Sequence, residues 1–284
     1  SISIHLPLRT DLKQMQPMPD HALKLREHPL MQNNQEDSGC SVRRVFEEQM
    51  GIDNSVLSKL LNEALHRGGD FADLYFEYSL RNSVIMEEGI IKNSAVAVVA
   101  GLGIRVVVGD QTGYAYSEDL QLKPMIHSAR TAGAIAHSGS VKVQDAWKFN
   151  KIPCSNNYPI LTTVTDVDLT SKIGLVQRAE KAAKEYNERI RRVTVAMVDS
   201  LNLTQVVTSE EQVFRDTRPM FRFNVQSIAQ QEDQFQVGTA GVGGRVGLDF
   251  LESSDHPSEL GRKAAAEAIL LLGARQAPSG PMPV

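Results

Sequence analysis

Cysteine is scarce in this sequence, with only Cys40 and Cys154 among 284 residues. Two thiols so far apart fit a reducing compartment better than a disulfide scaffold, although one disulfide is possible. No apolar run reaches the roughly 18 residues that a membrane-spanning helix needs, and the first residues lack the apolar core of a signal peptide. We therefore expect a soluble, cytoplasmic protein with no membrane partner.

The sequence also lacks an excess of positive charge, because 30 Lys and Arg residues face 34 Asp and Glu residues and the formal net charge is −4. A protein that neutralises nucleic-acid phosphates needs clustered Lys and Arg. We therefore expect no nucleic-acid partner. A hydrophobic content of 42% and a charged content of 23% are typical of a soluble globular protein with one large domain or two ordinary ones.

Residues 53–140 read as a helix, a series of strands and a second helix. Apolar residues at helical spacing follow the N-cap candidates Asp53 and Ser55. Between 71 and 81 polar and apolar residues alternate, and Glu88-Gly89 is typical of a tight hairpin turn. The run 95–100 is almost wholly apolar, which predicts a strand covered on both faces.

Residues 166–274 repeat the order of helix, strands and helix without a clear sequence repeat. The patterns predict a helix from Asp166 or Asp168, strands at 193–198 and 204–209 with a turn at Ser200–Asn202, and a last helix after Pro257. The fold class is therefore α+β, with two consecutive domains that are each a mainly antiparallel sheet packed with helices. The predicted limits are a variable or flexible extension at 1–50, an N-terminal domain at 51–140, a linker at 141–165 and a middle domain at 166–274. Within the extension, 41–50 could form a short helix with Val42, Val45 and Phe46 on one side.

Four residues are candidates for contact with a substrate or an interface: Arg105, Tyr114, Tyr116 and Arg218. Arg105 stands alone on an otherwise apolar strand, where an ion pair at the sheet face competes with binding of a peptide carboxylate. Arg218 belongs to an expected strand-entry turn before Pro219, where pairing with a carboxylate competes with a role at the substrate channel. Tyr114 and Tyr116 alternate on a hairpin, where cross-strand packing competes with an edge that accepts an extended peptide as an added strand.

The sequence contains no recognisable motif for catalysis or metal binding. The glycine-rich run Gly238–Gly247 fails the dinucleotide pattern because Val246 stands where glycine is needed, so it reads as a structural turn or a flexible hairpin tip. No two of the seven histidines have the i, i+4 spacing of a helical zinc site. We therefore predict no catalytic residue, no metal ligand and no cofactor for this chain.

Several blocks of the sequence carry a resemblance, in this order: GGDFADLYFEY, the EEG turn, GLGIRVVVGDQTGYAYSEDL and DTRPMFRFNV. Over residues 53–284 they resemble the N-terminal half of the TldD/PmbA family, and GYAYSEDL resembles its TldD branch. The resemblance implies a zinc-dependent metallopeptidase that degrades or trims unfolded peptides and pairs with a PmbA-like (TldE-like) subunit or with itself.

That family binds zinc through an HExxxH helix and a distant cysteine, and neither motif is present here. The resemblance therefore implies the N-terminal and middle domains of the enzyme, inactive alone, with residues 275–284 as a stub that leads to a metal-binding C-terminal domain. Two alternatives stay open: a non-catalytic, PmbA-like module that binds peptides or partner subunits, and a DNA-associated modulator of DNA gyrase, a label the family also carries.

Overall fold

The computed structural model describes residues 2–3, 38–136, 147–153, 167–252, 255–275 and 280. Its helices are α1 (Ser38–Arg43), α2 (Asn54–Ala64), α3 (Leu122–Ala136), α4 (Leu169–Lys184), α5 (Leu248–Glu252) and α6 (His256–Leu272), and a π-helix (Arg44–Gln49) continues α1. Its strands are β1 (Ile2–Ser3), β2 (Phe71–Glu87), β3 (Ile90–Val108), β4 (Gln111–Ser117), β5 (Asn150–Lys151), β6 (Ile190–Thr208), β7 (Gln212–Gln231) and β8 (Gln234–Gly244). Most of the predicted stub at 275–284 and most of the linker at 141–165 lie outside the described residues.

All these strands belong to one sheet, whose six main strands run antiparallel in the order β4-β3-β2-β6-β7-β8. The α+β class with a mainly antiparallel sheet packed by helices is confirmed. The two helix–sheet units are joined because β2 pairs with β6 from Asp73↔Thr208 to Glu87↔Thr194. The domain limits stay a prediction.

Two strands are longer than the sequence indicates. The turn predicted at Ser200–Asn202 is wrong, because β6 continues through these residues and pairs with β2 on one side and β7 on the other. The flexible tip predicted at Gly238–Gly247 is wrong as well, since most of this run belongs to β8. Glycine serves close packing there: a Cβ on Gly238 would lie 2.2 Å from the Ala264 carbonyl oxygen of α6.

Helices cover one face of the sheet and bury two apolar clusters. The first lies under α1, α2 and α3 and includes Phe46, Phe76 and Ile104, all fully buried. The second lies under α4 and α6 and includes Val195 and Phe223. Both clusters use the same face of β2 and β6, so two cores lie end to end on one long sheet.

The two halves are built alike, each as a helix, three antiparallel strands and a second helix. In the first half Gly133 of α3 meets the backbone of Ala64 in α2, and Gly113 of β4 meets the backbone of Ala132 in α3. In the second half Gly261 of α6 meets Ala179 of α4 in the same way, and the Gly238–Ala264 contact of β8 and α6 corresponds to the β4–α3 contact. The predicted repetition of architecture therefore extends to single close contacts.

The short helix expected at 41–50 forms as the end of α1 and the π-helix, and it packs on the first core. Val42, Val45 and Phe46 are fully buried, as the pattern indicates. Glu47 of the π-helix forms an ion pair with Arg215 of β7, whose Nε also donates to Gln205 Oε1 at 2.8 Å. An apolar face and a half-buried ion pair therefore hold this segment on the sheet.

Candidate functional site

The second face of the main sheet carries none of the described helices. Residues of β2 with odd numbers, residues of β6 and β7 with even numbers, and the tyrosines of β4 lie on this open face. Their sequence neighbours fill the two cores, because successive side chains of a strand point to opposite faces. All four residues singled out in the sequence lie on the open face.

An aromatic row crosses the open face at one end of the sheet. Strand pairing places Tyr116 opposite Gly103, Gly103 opposite Tyr75, Tyr75 opposite Val206, and Val206 opposite Phe214. With about 4.8 Å between strands, this register spans about 19 Å from β4 to β7. We call Tyr75, Tyr114, Tyr116 and Phe214 the aromatic row.

The aromatic row is exposed to solvent. The exposed fractions are 39% for Tyr75, 59% for Tyr114, 69% for Tyr116 and 40% for Phe214. Tyr114 reaches across the strand next to its own, since a Cβ on Gly103 would lie 2.8 Å from the Tyr114 hydroxyl oxygen. Glycine at 103 therefore leaves the space that this ring uses.

Both candidate arginines are engaged by carboxylates. Arg105 donates from Nε to Asp73 at 2.8 Å and lies over the ring of Phe71, 5.8 Å from its centroid. Arg218 donates to Asp216, and this hydrogen bond raises the pKa of Arg218. The ion pairs considered for both residues in the sequence therefore form, and they lie on either side of the aromatic row.

Tyr75 has a neutral hydroxyl in this setting. Partial burial and then the charge of the nearby Glu77 carboxylate raise the pKa of Tyr75, whose hydroxyl donates to Glu77 at 3.3 Å. The row therefore offers apolar ring faces and hydroxyl groups rather than net charge, which suits apolar or backbone groups of a ligand.

Sequence patterns identify two of the four residues of the aromatic row. Tyr114 and Tyr116 stand out because they alternate on a short hairpin, and β4 is an edge strand that pairs with β3 alone among the described residues. Tyr75 and Phe214 do not stand out, because their place beside the tyrosines follows from a register between strands more than 100 residues apart. Each shows only as an aromatic residue at a strand position that faces away from the core.

A metal site does not form from the part of the chain that the structure describes. No three His, Cys, Asp or Glu side chains in these ranges come close enough to hold an ion. His256 instead stacks on Phe250 with ring centroids 4.5 Å apart. The described residues do not fit a zinc ion, so no catalytic step through a metal is derived for them.

The described helices give no sign of a membrane segment, since none of them is both long and apolar enough to cross a bilayer.

Comparisons with known proteins agree with this architecture in both halves. The PmbA/TldA metallopeptidase domain 1 matches residues 72–136, and the PmbA/TldA metallopeptidase central domain matches residues 163–272. Together the two matches cover more than half of the chain.

Curated relatives carry metalloprotease names. The Metalloprotease TldD homolog of Haemophilus influenzae is 27% identical over 237 residues, which are 82% of this chain and 49% of that protein. The homolog of the same name from Buchnera aphidicola subsp. Acyrthosiphon pisum is 28% identical over 231 residues, 79% of this chain and 47% of that protein. The chain thus spans about half the length of the curated relatives it matches.

Solved structures share the fold at low sequence identity. A Thermotoga maritima protein, described as a proposed modulator of a DNA gyrase, aligns with a TM-score of 0.59 and 18% identity over 74% of this chain and 46% of its own. TldE from Thermococcus kodakarensis aligns with a TM-score of 0.56 and 13% identity over 75% of this chain and 47% of its own.

Proposed function

Because the chain belongs to the PmbA/TldD metallopeptidase family, we propose that it forms the peptide-handling part of a metal-dependent peptidase that acts on unfolded chains. The observation that carries this proposal is the exposed aromatic row on a sheet face that none of the described helices covers. The row and the edge of β4 lie side by side, so one extended peptide can pair its backbone with the edge and rest its side chains on the rings.

Backbone pairing gives affinity with little dependence on sequence, because every residue except proline offers the same donor and acceptor. Tyrosine rings add apolar contact area at low entropic cost, since the side chain has few rotatable bonds. The two neighbouring arginines are already paired with Asp73 and Asp216. We therefore assign them to shaping the surface rather than to binding a peptide carboxylate.

We place the metal ligands of the enzyme outside the described residues. Relatives named metalloproteases imply a metal, and we propose zinc, held by a helix with two histidines and a glutamate in a domain that complements this one. Such a metal would supply the activation of water for attack on the peptide bond, and this chain would bind and position the substrate. We further propose a cytoplasmic location and a TldE-like partner subunit, or else a second copy, around a shared substrate space.

The peptide role predicts the effect of removing two rings. Replacing Tyr114 and Tyr116 together by alanine should weaken binding of an unstructured peptide by at least about tenfold, because two exposed aromatic contacts are lost. The measurement is a fluorescence-anisotropy titration of a labelled, uncharged, unstructured peptide against the chain and against the double variant. Unchanged thermal unfolding would show that the fold is intact.

Tyr186→Ala serves as the matched control. Tyr186 lies just after α4, away from the open face, and is 45% exposed, so its removal should leave peptide affinity within about twofold of the parent. Equal affinity in the tyrosine double variant and the control would refute a peptide site on the aromatic row. So would the absence of any binding to the parent chain.

A DNA-associated role is the weaker candidate. Its support is the gyrase description of a structural neighbour that is 18% identical, a likeness that supports the fold alone. The net charge of −4 disfavours contact with phosphates.

A further inference from the structure

Three arginines lie close together on the open face, beyond the aromatic row. Strand pairing places Arg81 of β2 opposite Ser200 of β6, and Ser200 opposite Met220 of β7. The neighbouring open-face rows end at Arg218 of β7 on one side and at Arg222 on the other. These three rows hold nine open-face side chains of β2, β6 and β7, of which three are arginines and none is acidic. We call these nine positions the arginine patch.

Two arginines of the patch, Arg81 and Arg222, are exposed and carry charge that no described carboxylate neutralises. Arg222 donates from Nε to Asn224 Oδ1 at 3.1 Å, which uses one of its five N–H donors. By contrast, three further arginines of the open face form ion pairs: Arg105 with Asp73, Arg192 with Glu87, and Arg218 with Asp216. Unmatched positive charge therefore collects on one part of a chain whose net charge is −4.

The described strands on either side of the patch add no charge to it. On β3 the open-face neighbours at 95, 97 and 99 are two alanines and a valine, and on β8 Gly243 lies opposite Arg222. Val96 and Val99, on opposite faces of β3, are 42% and 52% exposed, so the prediction that this strand is covered on both faces is wrong. A ligand therefore meets small or apolar, uncharged side chains around the arginines.

The spacing of the patch suits an extended chain. Strands lie about 4.8 Å apart and every second residue of a strand lies about 6.7 Å further along, so the Cα atoms of Arg81 and Arg222 are about 12 Å apart. The row of Arg81 lies six residues along β2 from Tyr75, or about 20 Å. An extended peptide of about six residues spans this distance and can contact both the aromatic row and the patch.

We propose that the arginine patch binds acidic side chains of an extended peptide through Arg81 and Arg222. This inference rests on the proposed peptide role and adds a substrate class to it, namely unfolded chains that carry glutamate or aspartate near an apolar stretch. A guanidinium holds a carboxylate through two parallel N–H···O bonds, which gives the contact a defined geometry. Since each exposed ion pair is weak, the two together set a preference among peptides rather than the whole affinity.

Peptide titrations test the patch. The probes are two labelled, unstructured peptides of equal length, one with glutamates and the other with glutamines at the same positions. In fluorescence anisotropy the chain should bind the glutamate peptide at least about fivefold more tightly. Arg81→Gln with Arg222→Gln should reduce this preference to below about twofold and leave affinity for the glutamine peptide within about twofold of the parent.

Arg67→Gln with Arg262→Gln is the matched control. Arg67 follows α2 and Arg262 lies in α6, both exposed and away from the open face, so this variant loses the same charge and should keep the preference for glutamate. Salt provides a test on the parent chain that needs no variant. Raising its concentration from about 0.05 M to about 0.5 M should reduce the preference to below about twofold, because exposed charges are screened.

Three results would overturn the patch: equal affinity of the parent for both peptides, a preference that survives in the Arg81 and Arg222 variant, or an equal loss of preference in that variant and the control. A single-stranded oligonucleotide serves as a second anionic probe. If the parent binds it at least as tightly as the glutamate peptide, and the Arg81 and Arg222 variant does not, the arginines bind phosphates and the acidic-peptide class is wrong.

The patch and the aromatic row fail separately. If the parent binds the glutamine peptide but shows no preference for glutamate, the peptide role stands and the patch is refuted. If the parent binds only the glutamate peptide and the Arg81 and Arg222 variant loses that binding, the patch stands and the aromatic row has no role of its own.

Discussion

Replacing Gly261 by alanine should destabilise the chain by about 3 kcal/mol, the upper part of the range for overpacked interiors. A Cβ at this position of α6 would lie 2.2 Å from the Ala179 carbonyl oxygen of α4 and 3.1 Å from the Ala183 nitrogen. Both obstacles are backbone atoms of a helix, so the clash cannot be relieved by a rotamer change. The two helices must separate, which opens the second core beneath them.

The glycine in α4 provides the matched control. Gly174 is also helical, but a Cβ there would meet nothing within 4 Å. Gly174→Ala should therefore leave stability unchanged or raise it by up to about 1 kcal/mol, because alanine favours the helix. Urea unfolding followed by circular dichroism measures both variants. A Gly261→Ala protein as stable as the parent would show that α4 and α6 do not approach as closely as described.

The sequence predicts helix positions well where local chemistry decides them. Asp53 and Asp168, two of the N-cap candidates, accept hydrogen bonds from the Val56 and Ser171 backbone nitrogens, each at 3.0 Å. The hairpin turn at Glu88-Gly89 forms with positive φ at both residues. Such features depend on a few neighbouring residues, and for that reason they can be read without knowledge of the fold.

Strand continuity could not be predicted in the same way. Ser200 and Asn202 are typical of a turn, yet in β6 they pair with residues of β2 and β7 on both sides. Gly238 of β8 is equally misleading, because the neighbour that requires a small residue there is Ala264 of α6, 26 positions later in the chain. In both cases a tertiary contact decides, and local propensity is overridden.

In the candidate site, too, local patterns identify some of the residues and tertiary pairing decides how they come together. The alternation of Tyr114 and Tyr116 marks them as neighbours on one face, and the ion-pair alternatives for Arg105 and Arg218 follow from nearby acidic residues. The meeting of these residues with Phe214 depends on the antiparallel pairing of β2 with β6. That pairing joins the two halves of the chain, and no local pattern encodes its register.

A buried ion pair marks the border between the two halves. Lys172 Nζ of α4 lies 2.7 Å from Asp199 Oδ2 of β6, with only 4% and 1% of the two side chains exposed. Asn82 of β2 donates to the other carboxylate oxygen at 2.8 Å. On the covered face these groups stand between Leu201 of the first core and Met197 of the second. The polar cluster therefore separates two apolar clusters that would otherwise be continuous.

Lys172→Met should destabilise the chain by about 3–5 kcal/mol, because it leaves a buried carboxylate with Asn82 as its remaining partner. Adding Asp199→Leu should recover most of this loss, since an apolar pair of similar volume removes the uncompensated charge. Lys181→Met in the same helix is the control. Lys181 is 74% exposed beside Glu185, so its removal should leave stability close to that of the parent.

The order of the variants' stabilities in urea unfolding shows how the Lys172–Asp199 ion pair contributes to stability. If Lys172→Met is much less stable than the double variant, the two charges are desolvated and each requires the other. Equal stability of the parent and the Lys172→Met variant would mean that water reaches the pair. Further loss in the double variant would instead mean that the polar cluster itself holds α4 on the sheet, because Asn82 and Asp199 would then contribute more as a hydrogen-bonded unit than an apolar filling can replace.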